Sequence, residues 1–424
     1  MSQHDYVKHV LPSGLRVITV PMPSTRSVTI LIMAAVGSRY ETRQINGISH
    51  FMEHMFFKGA EKYPDTMAVA SAIEGVGGLF NAFTSEERVA YYVKLSSGKV
   101  ELAYDVLSDM LLRSKFDPEE IDRERGVIVE EIRMYNDDPM SCVQNGFKEH
   151  FFGDQPLGWD VAGPEAVINS VQREDFIKYR DLHYTAGNCV LAAAGDITPS
   201  RAQELAEKYF PIQPGAGKAP AAPYRPLEGQ RSRLIKKKTE QGHFVLGFPI
   251  PGEEDPIQPA LKILSTVMGG AMSSRLFHEI RERRGLAYYI GSSRRVFTDT
   301  GAFVISAGVN VNKMEEAVEC VMQELGKAAT DGFTADELTR GRENLKGGLD
   351  LSLENSMTQA NLYAGREVVY GKVKTPAQIV AELDAVTLDG LNAAAREYFN
   401  RGRVKMTLLG PYDGVERFDR KLEG

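Results

Sequence analysis

Two histidines four residues apart, with a glutamate just before the second, stand in the stretch NGISHFMEHMFFKGA, residues 46–60. Asn46 can cap a helix here and Gly59 can close it. On that helix His50 and His54 fall one turn apart, and Glu53 lies on the same flank, so the three side chains share an arc of about 100°. Two imidazole nitrogens at this spacing can hold one Zn2+, and the carboxylate between them is placed to take a proton from a water that the metal activates.

A catalytic zinc site needs a third protein ligand and keeps a fourth position open. The segment FDPEEIDRERGVIVEEIRMYNDDP, from Phe116, predicts a helix in which Asp117 caps, Pro118 takes the first position and Glu120 completes a capping box. Along it Glu124 and Glu131 are seven apart and nearly superposed. They share a face with Val127 and Ile128, which is expected to be buried and apolar apart from its two acids. One acid could bind the metal while the other orients a ligating histidine through its second nitrogen. Glu130 points about 100° away, toward solvent. The plain alternative is an acidic surface stripe, against which the histidines upstream weigh. The order HxxEH is the inversion of the HExxH motif of metalloproteases.

The elements that must position these residues occur twice. The chain has 424 residues, 43% of them hydrophobic, enough for two or more domains. Residues 211–226, PIQPGAGKAPAAPYRP, hold five prolines and two glycines without apolar periodicity, as an extended connector does. The same order of elements reads on both sides of it. FDPEEIDRERGVIVEEI pairs with FTADELTRGRENLKGGL from Phe333, and HYTAGNCVLAAAGDI from His183 pairs with YFNRGRVKMTLLGPY from Tyr398. LRVITV, SVTILIMA and RVAYYVKL read as strands. The expected fold class is α+β: two homologous units, each a mostly antiparallel sheet with helices packed on it. The expected division is an N-terminal unit at 1–215, a linker at 216–232 and a C-terminal unit at 233–424. In the register that pairs Phe116 with Phe333, Glu131 falls opposite Gly348, and no HxxEH follows the linker, so only the first unit can be catalytic.

Charge and cysteines bound the partners. A net charge of -7 leaves no basic footprint for nucleic acid or an anionic membrane. Cys142, Cys189 and Cys320 offer neither paired metal-ligand spacing nor an even disulfide set. A reducing, cytoplasmic location fits, with no targeting segment in MSQHDYVKHVLPSGLRVITV and no apolar run of about 18 residues to span a membrane.

Four motifs in order, HFMEHMFFKGA, GGLFNAFTSEERVAYY, RERGVIVEEI and GGAMSSRLFHEIRERRGLAYYIGSS, resemble the inverted-zincin peptidases of the pitrilysin and insulin-degrading-enzyme family, in the short-chain branch of the mitochondrial processing peptidase β subunit. The resemblance implies one Zn2+ per chain, with His50, His54 and Glu131 as ligands, Glu53 as general base and Glu124 as the acid that supports the site. It makes LFNAFT an edge strand to which a peptide substrate adds by backbone hydrogen bonds, with Asn81, Ala82 and Phe83 beside it. Arg281 and Tyr288 match the pair that grips the substrate backbone and stabilises the tetrahedral intermediate. GGAMSSRL lacks the GxxxxGK[ST] spacing of a phosphate loop.

The family's long members enclose substrate between two halves of two units each, and this chain has two units. A homodimer is therefore implied, with Arg281 and Tyr288 of one subunit completing the zinc site of the other; a heterodimer with a related subunit is the alternative. The activity implied is zinc-dependent endopeptidase action on peptides or unfolded segments in an enclosed chamber. A non-catalytic scaffold would have lost part of the metal motif, and hydrolysis of a small non-peptide amide would not need the edge strand.

Overall fold

The computed structural model describes residues 6–423. Its first sheet contains β1 (Val7–Val10), β2 (Arg16–Pro21), β3 (Ser27–Ala34), β4 (Leu79–Thr84), β5 (Val89–Ser96) and β6 (Cys189–Gly195), in the order β1-β2-β6-β3-β5-β4. The β2–β6 pair is parallel and the other neighbours are antiparallel. Central β3, apolar apart from Ser27 and a buried Thr29, is buried on both faces. Because side chains alternate along a strand, Ile30 and Ile32 join one core with the helices Ile48–Phe56, Val100–Leu112 and Pro118–Asp137. Leu31 and Met33 face the other way. With Ala192 and Ala194 of β6 they meet Ala360, Tyr363, Ala364 and Val368 of the helix Ser356–Tyr370. Small alanines on the strand leave room for the Tyr363 ring, and full burial of each large apolar side chain is worth about 1.5–3 kcal/mol.

The second sheet contains β7 (Ser232–Lys236), β8 (Gln241–Pro251), β9 (Ala287–Val296), β10 (Thr300–Asn310) and β11 (Lys405–Gly410), in the order β7-β11-β8-β10-β9. Its β7–β11 pair is parallel and the rest antiparallel. Strand for strand this repeats β2-β6-β3-β5-β4, with the parallel pair in the same place. The α+β class and the duplication expected from sequence are both present. One face packs Phe244, Leu246, Phe303 and Ile305 under its own helices. The other packs Val245 and Val304 against Val143, Phe147 and Phe151 of the helix Pro139–Phe152.

The packing units are not contiguous in sequence. One runs to Ile132 and adds Trp159–Ala222 and Leu351–Thr375; the other takes Arg133–Gly158, Pro223–Asp350 and the chain from Pro376. The division at Ala222–Pro223 falls within the proline-rich stretch, where residues 210–230 form neither helix nor strand. The boundaries 1–215 and 233–424 differ from this because each sheet covers one face with a helix from the other half of the sequence: Ser356–Tyr370 for the first, Pro139–Phe152 for the second. Those helices carry apolar faces that a linear reading assigns to their own half. No helix among the described residues is long and apolar enough to cross a membrane.

Candidate metal centre

The helix Ile48–Phe56 buries Ile48, Phe51, Met52, Met55 and Phe56. That apolar arc leaves His50, Glu53 and His54 together on the opposite flank, all three partly buried. Its start differs from the expectation for Asn46. Gly47, in the left-handed conformation at φ 100°, is the capping residue and makes no side-chain cap. The Asn46 amide instead donates to Glu41 Oε2 at 2.9 Å, and Glu41 caps the helix from the preceding loop, accepting from Gly47 N at 2.7 Å and Ser49 N at 2.9 Å. Burial raises the Glu41 carboxyl above its ordinary range, against the pull of these hydrogen bonds.

On the helix Pro118–Asp137, Asp117 caps by accepting from Glu119 N at 2.9 Å. Glu120 does not return the bond expected of a capping box; its carboxylate pairs with Arg123. Glu124 is 3% exposed and Ile128 fully buried, but Val127 is 49% exposed. The buried arc centres on Ile121, Ile128 and Ile132. At about 100° per residue, Glu124 and Glu131 sit at its edge and Val127 lies beyond them.

His50 Nε2 is 3.7 Å and His54 Nε2 3.6 Å from Glu131 Oε2. Ligand atoms of the three residues lie within 4.8 Å of one another, and no other group of three or more His, Cys, Asp or Glu among the described residues is so arranged. The spacing is too long for hydrogen bonds and close to the about 3.4 Å that separates two donors bonded tetrahedrally to zinc at about 2.0–2.1 Å. Two imidazole nitrogens, one carboxylate oxygen and an open position fit catalytic zinc. Glu124 Oε1 lies 2.8 Å from His54 Nδ1, which turns Nε2 to the cluster and sets the tautomer a ligand needs. Lys58 Nζ lies 2.6 Å from the other oxygen, Oε2.

Charge and burial set the protonation of each group. Burial, and after it the charge of His54, pulls His50 down to about 4, so its ring is neutral and able to ligate. At His54 burial works downward, but the Glu124 hydrogen bond and the charges of Glu124, Glu131 and Glu53 raise it. Burial also works on Glu124, where His54 and Lys58 outweigh it and hold the carboxyl low. Glu53 is raised, chiefly by burial, with a hydrogen bond from Thr84 opposing and Glu131 adding. A carboxylate shifted upward is a better base near neutrality.

Thr84 Oγ1 donates to Glu53 Oε2, which ties Glu53 to the last residue of β4. That strand pairs with β5 alone and ends its sheet. Asn81 is exposed, Ala82 and Phe83 partly buried, and the Ala82 N–H is held at 2.8 Å by Asn81 Oδ1. Arg281 and Tyr288 belong to the other unit. Arg281 is exposed on a π-helical turn, Phe277–Arg283, with its guanidinium 4.8 Å over the Phe277 ring. Tyr288 stands at a register shift of β9, where Tyr289 pairs with Gly308 and Ala287 with Val309. This bulge turns its ring outward, 56% exposed. Glu41, Lys58 and Thr84 are not singled out by the sequence. Lys58 carries a signal, since it is four residues after His54; Glu41 and Thr84 reach the motif helix through tertiary contact.

A donor set of the HxxEH kind on a duplicated α+β scaffold defines a class of metal-dependent hydrolase. The profile of Insulinase (Peptidase family M16) matches residues 16–165, and that of Peptidase M16 inactive domain matches residues 170–345. A Streptomyces coelicolor protein named as a zinc protease is 38% identical over 95% of this chain and 88% of its own length. The zinc protease YmxG of Bacillus subtilis is 36% identical over 95% and 98%. Among solved structures, a protease from Helicobacter pylori has the same fold, with a TM-score of 0.87 and 24% identity over 96% of this chain and 99% of that one. A Pseudomonas fluorescens peptidase M16 inactive domain gives 0.89 at 19% identity over 97% and 99%. The chain belongs to the insulinase family, peptidase family M16. It is a zinc-dependent peptidase.

Proposed function

We propose that the chain is an endopeptidase for peptides or unfolded segments, with His50, His54 and Glu131 holding one zinc ion. The observation that carries this is the meeting of those three side chains, with Glu53 beside them and pinned by Thr84. Bound there, zinc supplies Lewis acidity toward the scissile carbonyl and lowers the pKa of an attacking water. Glu53 takes the proton from that water and passes it to the leaving amine. Glu124 orients His54. The open edge of β4 takes the substrate as an added strand, its backbone paired beside Asn81, Ala82 and Phe83.

Arg281 and Tyr288 serve as donors to the substrate backbone and the developing oxyanion. In this reading they come from a second copy of the chain, in a homodimer that encloses a chamber and so selects substrates by size. Their exposure on the second unit supports it, and the three free thiols, two of them buried, fit a reducing cytoplasm.

A broad peptide library digested by the zinc-loaded protein, with products read by mass spectrometry, tests the activity. Cleavage by the wild type and none by Glu53→Gln is expected; equal behaviour of the two would overturn it. Mixing tests the second copy. Glu53→Gln and the double variant Arg281→Ala, Tyr288→Phe, each inactive alone, should regain activity together, because a mixed dimer has one intact composite site. No recovery in subunits shown to exchange would place all these groups within one chain.

A further inference from the structure

Lys58 is a cation at the edge of the metal cluster to which the reaction above gives no task. The helix ends at Phe56, but Phe57 N still donates to His54 O at 3.1 Å and Lys58 N to Met55 O at 3.0 Å. The chain thus keeps winding for two more residues, and Lys58, four residues after His54, keeps to the flank of the histidines. Gly59, at φ 131°, then turns the chain away; a Cβ there would stand 2.4 Å from Pro64 O. The lysine side chain is 23% exposed and the Glu124 side chain it reaches 5%. Water cannot readily replace the ammonium at so buried a carboxylate, and a buried carboxylate stripped of its cation is costly.

We propose that Lys58 is a positioning residue of the metal centre: its ammonium fixes the Glu124 carboxylate, which in turn fixes the His54 ring with Nε2 toward Glu131. This rests on His50, His54 and Glu131 being the ligands. The two oxygens of Glu124 are divided, Oε1 to His54 Nδ1 at 2.8 Å and Oε2 to Lys58 Nζ at 2.6 Å. A carboxylate held at one oxygen alone can swing about its terminal torsion, which is broad, and so is the torsion of the imidazole it holds. Held at both oxygens, Glu124 presents one oxygen in one place. The bond Lys58 makes at the site is to Glu124, so its effect on His54 passes through that carboxylate.

Zinc affinity of the full chain, measured by competition with a chromogenic chelator, tests this alongside the melting temperature of the metal-free protein. Lys58→Met should weaken zinc binding tenfold to about a hundredfold, the usual cost of losing support to a ligating histidine, while Lys58→Arg keeps most of the affinity. In a Glu124→Gln background, Lys58→Met should add nothing. A merely structural ion pair would instead lower the melting temperature and leave zinc affinity unchanged, and that result overturns the proposal. An equal loss in the Glu124→Gln background also overturns it. His54→Ala is the control: if it binds zinc like the wild type, the ligand assignment itself fails. If His54→Ala loses zinc and Lys58→Met does not, only the role of Lys58 fails. Should Lys58→Met not fold, Lys58→Gln carries the same expectation.

Discussion

Two helices in equivalent places, Pro118–Asp137 in one half of the sequence and Ala335–Ser352 in the other, differ where it matters for chemistry. Each follows a buried phenylalanine, Phe116 or Phe333, with an arginine over its ring. In that register Glu124 falls opposite Gly341 and Glu131 opposite Gly348. Where Glu124 reaches across to His54 and Lys58, Gly341 lets its helix close on another, so tightly that a Cβ would stand 2.7 Å from Val267 Cγ2 and 3.1 Å from Ile263 Cγ2. At Gly348 there is open space. The same scaffold thus either places between two helices a carboxylate bonded to His54 and Lys58 or closes them on a glycine. Fold and metal centre are separable, and two positions on one helix carry much of the difference.

The largest effect is expected when the first helix is given the second one's lack of acids. Glu124→Ala with Glu131→Ala keeps helix propensity and should reduce bound zinc from about one per chain to about zero. Peptide hydrolysis should fall to background, a larger loss than the tenfold to about a hundredfold of a supporting residue alone. Atomic absorption and circular dichroism together check it. Retained zinc in a folded double variant would show that the acids are not what separates the two units.

A smaller effect is expected where the helices that face these two begin. Glu41, 4% exposed, satisfies Asn46 Nδ2, Gly47 N and Ser49 N. The corresponding helix of the second unit, Gln258–Ser265, starts differently: Asp255 Oδ1 accepts from Ile257 N at 3.0 Å in an exposed bond, Asp255 O accepts from Gln258 N at 3.1 Å, and the Gln258 side-chain amide donates back to Pro251 O at 2.7 Å. Glu41→Ala should cost about 3 kcal/mol or more, since it strands three buried donors. Asp255→Ala should cost about 1 kcal/mol or less. Urea unfolding of the metal-free protein measures both, and equal costs would mean that the first unit's helix is not specially anchored.

How much of this could be read from the sequence follows the range of the interactions. The histidines, Glu53 and the seven-residue spacing of Glu124 and Glu131 are visible because helical periodicity is local. The strands SVTILIMA and RVAYYVKL are visible because β-branched and aromatic residues run through them, whereas the edge strand LFNAFT is reached through the family resemblance. Asn46 is expected to cap and does not, because a buried loop acid six residues before Gly47 outcompetes it, and no local rule announces that. Val127 falls on the expected buried face because it lies three residues after Glu124 and four before Glu131, yet the buried arc is centred further round, on Ile121, Ile128 and Ile132. The exchange of Pro139–Phe152 and Ser356–Tyr370 between sheets is illegible for a related reason. An apolar helix face shows that it must be covered and does not show by which sheet.

The finest test lies within the second unit's helix, at its two glycines. Exchange of Gly for Ala in a helix interior stabilises by about 0.5–1 kcal/mol wherever the methyl finds room. At Gly348 an added methyl would meet nothing within 4 Å beyond its own helix, so Gly348→Ala should gain that amount. Gly341 does not have the room, because the branched Val267 side chain and Ile263 stand in the way, and overpacking costs typically about 1–3 kcal/mol. Gly341→Ala should therefore be destabilising by about 1 kcal/mol net, opposite in sign to its neighbour two turns on. Midpoints of urea unfolding resolve a difference of this size. Were both substitutions stabilising, the close approach at Gly341 would not be what fills the place that Glu124 holds in the first unit.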